Sequence, residues 1–404
     1  MMAAVRVVGA LATAVAGTLV FAAPARADGI RDSEWHLAFL DVANAQRQTM
    51  GAGVTVAVID SGVDATHPDL VDSVLTGVDV STGAAAPTGG APGQFDVDGR
   101  GTGLAGLIVG HGRGTGADGV LGIAPRAQVL PIRITNRAGQ FGDPDVLADG
   151  INAAVARGVK VICIGRGMPA SPRLEQAVSD AVKADVVVVA ATANRRGETF
   201  LPWPASYPGV VGIAPLDRVG GLADPPPSPR PPLGLLPQAT PLLAAPGVDL
   251  VTTDTGGGYR IDGGTGSAAI VAGATALIRA KYPQLPADEV IHRLTATAKD
   301  RGASGRDDDY GFGVLDLGAA LAPGVPLLRP PAASAAPSAS VARPAPAPST
   351  AGPVASGPVS LPAFDSGDWR RWLIVLPLLA FLAGLVAYAV TSGRRRRNAA
   401  APPA

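Results

Sequence analysis

The chain has little cysteine and no excess of charge of either sign. Its 404 residues include a single cysteine, Cys163, so no disulfide can form within the chain. Its 33 Lys and Arg residues balance 33 Asp and Glu residues. Because these charges are also scattered, the sequence does not indicate binding to nucleic acid. Cys163 lies in the apolar run 159–164, which favours a buried and unreactive thiol.

The two ends of the chain carry patterns typical of export and membrane anchoring. Residues 1–27 combine Arg6, an apolar stretch and a terminal Ala-Arg-Ala, which predicts a secretory signal peptide. Residues 372–391 are uncharged and long enough to cross a hydrocarbon core of about 30 Å. Four arginines follow within the tail 392–404, which places the tail in the cytoplasm. We therefore expect a single-pass protein of the cell membrane with its folded domain outside the cytoplasm.

The region between these ends predicts one folded domain, 28–322, and a linker, 323–368, rich in Ala, Pro and Ser. Strand-like runs and helical stretches alternate along the domain. The strand-like runs are 54–60, 129–134, 159–164, 186–191 and 210–214. The helical stretches are 103–109, 144–157 and 173–183. This alternation predicts an α/β fold, with a doubly wound and mostly parallel sheet that has helices on both faces.

A carboxylate follows the first strand-like run, in the sequence Asp60-Ser61-Gly62. The carboxyl end of a parallel strand is where open α/β sheets place functional groups. The motif resembles the D-[ST]-G of subtilisin-like serine proteases, and residues 67–70, His-Pro-Asp-Leu, resemble the H-P-x-L of the same family. The resemblance implies that Asp60 is the aspartate of a catalytic triad.

Arg100 occupies the position that the family gives to its catalytic histidine. Residues 96–106 read D-V-D-G-R-G-T-G-L-A-G and resemble the family motif D-x-x-G-H-G-T-x-x-A-G. A guanidinium stays protonated and has no lone pair, so it cannot take a proton from a serine hydroxyl. Two placements are open for this side chain, a charge pair with Asp60 or a position in solvent.

The nucleophile motif is also altered. Residues 263–278 resemble G-T-S-x-A-x-P-x-V-A-G-x-x-A-L-[IV], but the segment is one residue short and lacks the proline. Aligned from the left, Gly266 takes the place of the serine; aligned from the right, Thr265 does. Ser267 is the nearest serine, and we expect it at the N-cap or in the first turn of a helix. Ser267 and Thr265 remain alternative nucleophiles.

Two further segments bear on the expected site. Asn194 follows the run 186–191 and resembles the asparagine that donates to the oxyanion in the family. Residues 165–167, Gly-Arg-Gly, stand where the family has an S-x-G that pairs with the substrate backbone. We expect an altered substrate-binding edge, and the sequence indicates no metal and no cofactor.

Together with the two ends of the chain, these motifs resemble the mycosins, the membrane-anchored subtilases of actinobacterial type VII secretion systems. The resemblance implies association with the type VII secretion membrane complex, in addition to the membrane contact of the C-terminal helix. With Arg100 and Gly266 in place of histidine and serine, we expect a pseudoprotease with a structural or peptide-binding role. The alternative is an active serine-type endopeptidase with an unorthodox nucleophile and base.

Overall fold

The computed structural model describes residues 29–81, 91–113, 118–138, 143–192, 203–223 and 241–328. The chain divides into two units, Met1–Ser334 and Ala335–Ala404, and every described residue belongs to the first. The predicted signal peptide, membrane span, tail and most of the linker lie outside the described residues. Within the described ranges, no helix is long and apolar enough to cross a membrane.

The described residues form eleven strands and nine α-helices. The strands are β1 Thr55–Asp60, β2 Val78–Asp79, β3 His111–Arg113, β4 Asp118–Leu121, β5 Gln128–Arg133, β6 Val161–Ile164, β7 Val187–Ala191, β8 Val210–Leu216, β9 Leu243–Pro246, β10 Val248–Thr253 and β11 Tyr259–Gly263. The helices are α1 Gly29–Ser33, α2 Trp35–Phe39, α3 Val42–Gln48, α4 Arg100–Val109, α5 Pro144–Ala156, α6 Pro172–Lys183, α7 Gly266–Lys281, α8 Ala287–Ala296 and α9 Leu317–Ala320.

Seven strands form one sheet in the order β2-β5-β1-β6-β7-β8-β9. Every pairing between neighbours in this sheet is parallel. β1 lies between β5 and β6 in the interior of the sheet. Asp60, at its carboxyl end, therefore lies at the side of the sheet where the parallel strands end, away from the edge strands. Two antiparallel hairpins, β3-β4 and β10-β11, stand apart from this sheet.

Helices cover both faces of the sheet. Val56 and Val58 of β1 pack on the face that holds the apolar residues of α4 and α7. Ala57 and Ile59, which alternate with them, pack on the face that holds α5 and α6. This two-sided burial explains why the strands read as continuous apolar runs, and it confirms the predicted α/β fold with a mostly parallel sheet.

The two helices nearest the site are deeply buried. All ten residues of α4 are buried, and in α7 burial extends from Gly266 to Arg279. Both helices are rich in Gly and Ala, which lets them pack closely beneath the sheet and against each other. Their N-termini carry the two segments in which the nucleophile and base of a protease would lie.

Candidate active site

Asp60 ends β1 with its side chain almost fully buried, at 1% exposure. Its Oδ1 atom accepts a hydrogen bond from the Ser61 backbone N–H at 2.7 Å. Its two carboxylate oxygens also face the guanidinium of Arg100. Both oxygens of Asp60 are therefore engaged, and neither is free to orient another side chain.

Arg100, the first residue of α4, pairs with Asp60 through two parallel contacts. Arg100 Nε donates to Asp60 Oδ2 at 2.9 Å, and Arg100 Nη2 lies 2.7 Å from Asp60 Oδ1. The Arg100 side chain is 5% exposed, and its Nη1 atom lies 3.5 Å from Asp98 Oδ2. Of the two placements left open by the sequence, the structure thus has the charge pair, in bidentate geometry.

The charges around Arg100 keep it protonated. Burial opposes the charged form, but Asp60, followed by Asp98 and Asp96, outweighs that effect and raises the pKa of Arg100 above its already high ordinary value. Burial would likewise raise the pKa of Asp98, but the neighbouring Arg100 charge and hydrogen bond lower it overall. An Arg100 held in this way cannot act as a general base near neutral pH.

Asp96 shapes the loop that presents Arg100. Its Oδ1 atom accepts from the N–H groups of Asp98 and Gly99 at 3.0 and 2.9 Å. Its Oδ2 atom accepts from the N–H and the hydroxyl of Thr102 at 2.8 and 2.6 Å. Burial raises the pKa of Asp96 even though these hydrogen bonds oppose the shift. These hydrogen bonds order the loop that precedes α4. Arg100, which follows the loop, has no nitrogen lone pair that could act as a base.

The β10-β11 hairpin braces the same loop from the other side. Thr252 and Thr253 of β10 donate through their hydroxyls to the carbonyls of Gly103 and Thr102 at 2.6 and 2.7 Å. Arg260 of β11 donates from Nη1 to the Asp98 carbonyl at 2.8 Å. These three side chains were not predicted as part of the site. Two threonines and an arginine in short strands give no indication of contact with a helix that is remote in the chain.

The segment between β11 and α7 is organised around Asp262. This buried carboxylate accepts from the N–H groups of Gly264 and Gly266 at 3.0 and 2.6 Å. It also accepts from the Thr265 hydroxyl, with Thr265 Oγ1 2.9 Å from Asp262 Oδ1. Thr265 is the N-cap residue of α7 but makes no side-chain cap bond. Asp262 takes that role from three residues upstream, and an Asp before a glycine-rich helix start is the sequence signal that could have revealed it.

The three candidate positions for a nucleophile are not equivalent. A Cβ atom at Gly266 would meet Leu250 Cδ1 at 2.7 Å, Leu107 Cδ1 at 2.8 Å and Asp262 Oδ2 at 3.0 Å, so a side chain there would displace two leucine ends or the carboxylate. Gly266 in the place of the serine stays a prediction. Ser267 lies in the first turn of α7, as expected, and is fully buried with its Oγ atom 3.5 Å from the Gly264 carbonyl. Thr265 is also buried, at 3% exposure, and its hydroxyl donates to Asp262.

Residues 165–167, where the sequence predicts an altered substrate edge, follow β6 directly. A Cβ atom at Gly165 would lie 2.6 Å from Leu104 Cδ1 and 3.5 Å from Asp60 Oδ2, so a side chain there would displace the end of Leu104 beside the Asp60 site. Arg166 is buried at 6% exposure, and its charge contributes to lowering the pKa of Asp98. The structure thus brings Arg166 into the charged group around Arg100.

Cys163 and Asn194 complete the set of sequence candidates. Cys163 is fully buried, as predicted, and burial followed by the charges of Asp60 and Asp262 raises the pKa of its thiol. Asn194 lies outside the described residues. Among the residues that the structure does describe, no three His, Cys, Asp or Glu side chains are grouped to hold a metal ion.

A parallel α/β sheet with an acid at the end of a central strand, and with two buried helices starting at its edge, agrees with the subtilisin-like serine protease class that the motifs indicate. The Subtilase family (Peptidase_S8) matches residues 51–313. Subtilisin DY of Bacillus licheniformis is 34% identical over 275 residues, which span 67% of this chain and 91% of that protein. Subtilisin Savinase of Lederbergia lenta is 32% identical over 276 residues, 68% of this chain and 93% of that protein.

Among solved structures, that of MycP1 with its N-terminal propeptide removed matches with a TM-score of 0.59 and 28% sequence identity. The match covers 72% of this chain and 98% of that one. The chain therefore belongs to the subtilase family, and the MycP1 likeness supports the resemblance to mycosins.

Proposed function

We propose that this chain is a mycosin-like pseudoprotease, anchored in the cell membrane by residues 372–391, whose extracytoplasmic domain docks on a type VII secretion membrane complex. The main support for the proposed loss of proteolysis is the bidentate contact between Arg100 and Asp60. The family resemblance and the likeness to MycP1 support the association with secretion. A role in binding a peptide without cutting it is compatible with the same domain.

The chemistry of peptide cleavage requires a base that takes the proton of the nucleophile and returns it to the leaving amine. Arg100 can do neither, and Asp60 is already neutralised by it. In subtilisin, loss of either the serine or the histidine costs about 10⁶ in kcat. Both positions differ here, so we expect cleavage at or near the rate supported by binding alone.

One observation favours the alternative of an unorthodox protease. The Thr265 hydroxyl already donates to a carboxylate, Asp262, which resembles a nucleophile with its base. However, the same carboxylate also accepts two backbone N–H bonds, from Gly264 and Gly266, and so serves to hold the start of α7. Because Thr265 is itself buried at 3% exposure, we rank this alternative second.

The experiment that separates the two is labelling of the purified protein with a fluorescent phosphonate probe beside an active subtilisin. The pseudoprotease predicts no label on folded protein. Stoichiometric labelling that disappears in Thr265→Ala or Ser267→Ala would establish the alternative.

The docking proposal needs a separate test. Tagged full-length protein, solubilised from membranes, should copurify with the subunits of the secretion complex, and Thr265→Ala should copurify equally well. Restoration of secretion by wild type but not by Thr265→Ala in a deletion strain would contradict a role independent of catalysis.

A further inference from the structure

Three side chains, Lys281 and Tyr282 at the end of α7 and Arg293 on α8, hold the backbone at residues 320–322, where the short helix α9 ends. Arg293 Nη1 donates to the first and third carbonyls of this stretch at 3.1 and 2.6 Å. Lys281 Nζ and the Tyr282 hydroxyl both donate to the middle carbonyl at 2.8 Å. The carbonyls belong, in order, to Ala320, Leu321 and Ala322. Carbonyls at the end of a helix lack partners within it, and these donors supply them.

This contact is both buried and charged. Arg293 is 4% exposed, and its guanidinium carbon lies 4.2 Å from the centroid of the Tyr282 ring. A cation is attracted to the face of an aromatic ring, and a hydrogen bond from a charged donor is about twice as strong as one between neutral groups. Leu317 and Leu321 add apolar burial, at 1% and 0% exposure. Residues 317–322 are therefore held firmly against the core.

Residues 323–328, which follow, lie along α8 with less burial to hold them. His292 Nε2 lies 3.1 Å from the Pro326 carbonyl oxygen, and the Leu328 N–H donates to Glu289 Oε2 at 3.1 Å. Because the residue numbers fall along α8 as they rise in this segment, the segment runs antiparallel to the helix. The Leu328 side chain is 52% exposed. A segment with little apolar burial opens at a low free energy, so we expect it to open before the buried residues upstream.

Upstream of α9, residues 313–315 cover an edge of the seven-stranded sheet. Ala244 lies in β9, the last strand of that sheet. Its N–H donates to the Gly313 carbonyl and its carbonyl accepts from the Leu315 N–H, both at 2.9 Å. Residues 316–322, which include α9, separate this pairing from the weakly held segment. A chain peeled from its C-terminal side would therefore lose α9 and then the cover of the sheet edge.

We propose that Lys281, Tyr282 and Arg293 form a mechanical clamp. Tension from the C-terminal side pulls residues 323–328 away from α8, and the clamp keeps that tension from reaching residues 313–315. The sheet edge then stays paired until the domain unfolds as a whole. The proposal takes from the proposed function only the C-terminal membrane anchor, which is the source of such tension.

Optical tweezers test the clamp on the full chain in detergent micelles. One handle is attached at Glu175→Cys, an exposed position on α6, and the other at Ser340→Cys in the predicted linker. Cys163 is fully buried, so the handles attach to the two introduced cysteines. The predicted membrane span lies outside the stretched part of the chain, and force therefore acts on the folded domain and its C-terminal segment.

On the wild-type clamp, release of residues 323–328 should lengthen the chain by about 20 Å, with no further step before the domain unfolds. Arg293→Met keeps a side chain of similar length but removes the guanidinium. It should add a step of about 30 Å before unfolding, as residues 313–322 leave the domain. The matched control is Lys160→Met, which removes an exposed ion pair with Asp185 and should keep the wild-type steps.

Release of residues 313–322 from the wild-type domain before it unfolds would overturn the proposal. So would an Arg293→Met chain that shows only the wild-type steps, even if its domain unfolds at a lower force. If that variant does not fold, Tyr282→Phe, which removes one donor, takes its place with the same expected extra step. Neither outcome depends on whether the domain cuts peptides or docks on a secretion complex.

Discussion

Arg100 and Asp60 contact each other edge to edge, with both carboxylate oxygens facing guanidinium nitrogens at 2.9 and 2.7 Å, in a site closed to solvent. An ion pair in this position joins the end of β1 to the start of α4. In an active protease the aspartate at this position orients an imidazole. In this chain its contact with Arg100 joins two structural elements instead. The cost of removing one partner is therefore a cost in stability.

Arg100→Ala should lower the free energy of unfolding by about 3–5 kcal/mol, because it leaves the buried Asp60 carboxylate unpaired. Arg173→Ala, which removes an exposed ion pair with Asp149, should cost about 0–1 kcal/mol. Chemical denaturation of the three proteins measures both values. The double variant Asp60→Leu with Arg100→Met should recover most of the loss, and equal losses in the single and double variants would refute a role for the pair.

Restoring the triad by Arg100→His with Thr265→Ser should recover little peptide cleavage. The new imidazole would regain Asp60 as a partner, but residues 165–167 would still read Gly-Arg-Gly where we expect the substrate-binding edge, and a side chain at Gly165 would have to displace the end of Leu104. Hydrolysis of a chromogenic peptide measures the outcome, with an active subtilisin as reference. Cleavage within tenfold of the reference would show that the substrate edge is intact.

Gly266→Ser should destabilise the domain by about 1–3 kcal/mol, because the added side chain meets Leu250 and Leu107 in a packed core. The control is Gly324→Ser, where a Cβ atom meets nothing within 4 Å. Thermal unfolding compares the two. A neutral Gly266→Ser with a gain in phosphonate labelling would instead place the nucleophile at position 266.

Cys163 should resist alkylation in the native protein. Burial, with the nearby Asp60 and Asp262 charges, raises the pKa of its thiol, so little thiolate forms even at pH 9. Mass spectrometry after treatment with iodoacetamide should show no modified native protein at pH 7 or 9 and complete modification in denaturant. Since the chain has one cysteine, no other site can confuse the readout. Rapid native labelling would show that β6 opens without global unfolding.

The fold could be predicted well because its strands are buried on both faces and read as valine-rich runs. β1 was expected at 54–60 and spans Thr55–Asp60, and α5 was expected at 144–157 and spans Pro144–Ala156. The β3-β4 and β10-β11 hairpins were not predicted, since their strands are short and carry charged or polar residues. Their positions are fixed by contacts with α4 and with Asp69, which are remote in sequence.

The candidate site could be predicted in part. The motif around Arg100 predicted that an arginine stands in the place of a base, because the surrounding letters resemble a known motif. The choice between Gly266 and Thr265 could not be made from the sequence, since both alignments were consistent with it. It depends on how a side chain at each position would meet Leu250, Leu107 and Asp262, which are contacts that the sequence does not show. The role of Asp262 was missed although an Asp ahead of a glycine-rich helix start is a sequence signal for it.

Asp262 changes what the start of α7 can attract. A helix N-terminus carries a partial positive charge that favours a nearby anion. In this domain a fixed carboxylate already neutralises that charge, and its Oδ1 atom lies 2.9 Å from the Thr265 oxygen. A tetrahedral intermediate on Thr265 would carry its negative charge on the former carbonyl oxygen, two bonds from Thr265 Oγ1, and so close to this like charge. This end of the helix therefore offers little of the electrostatic stabilisation that a helix N-terminus can give to a developing anion.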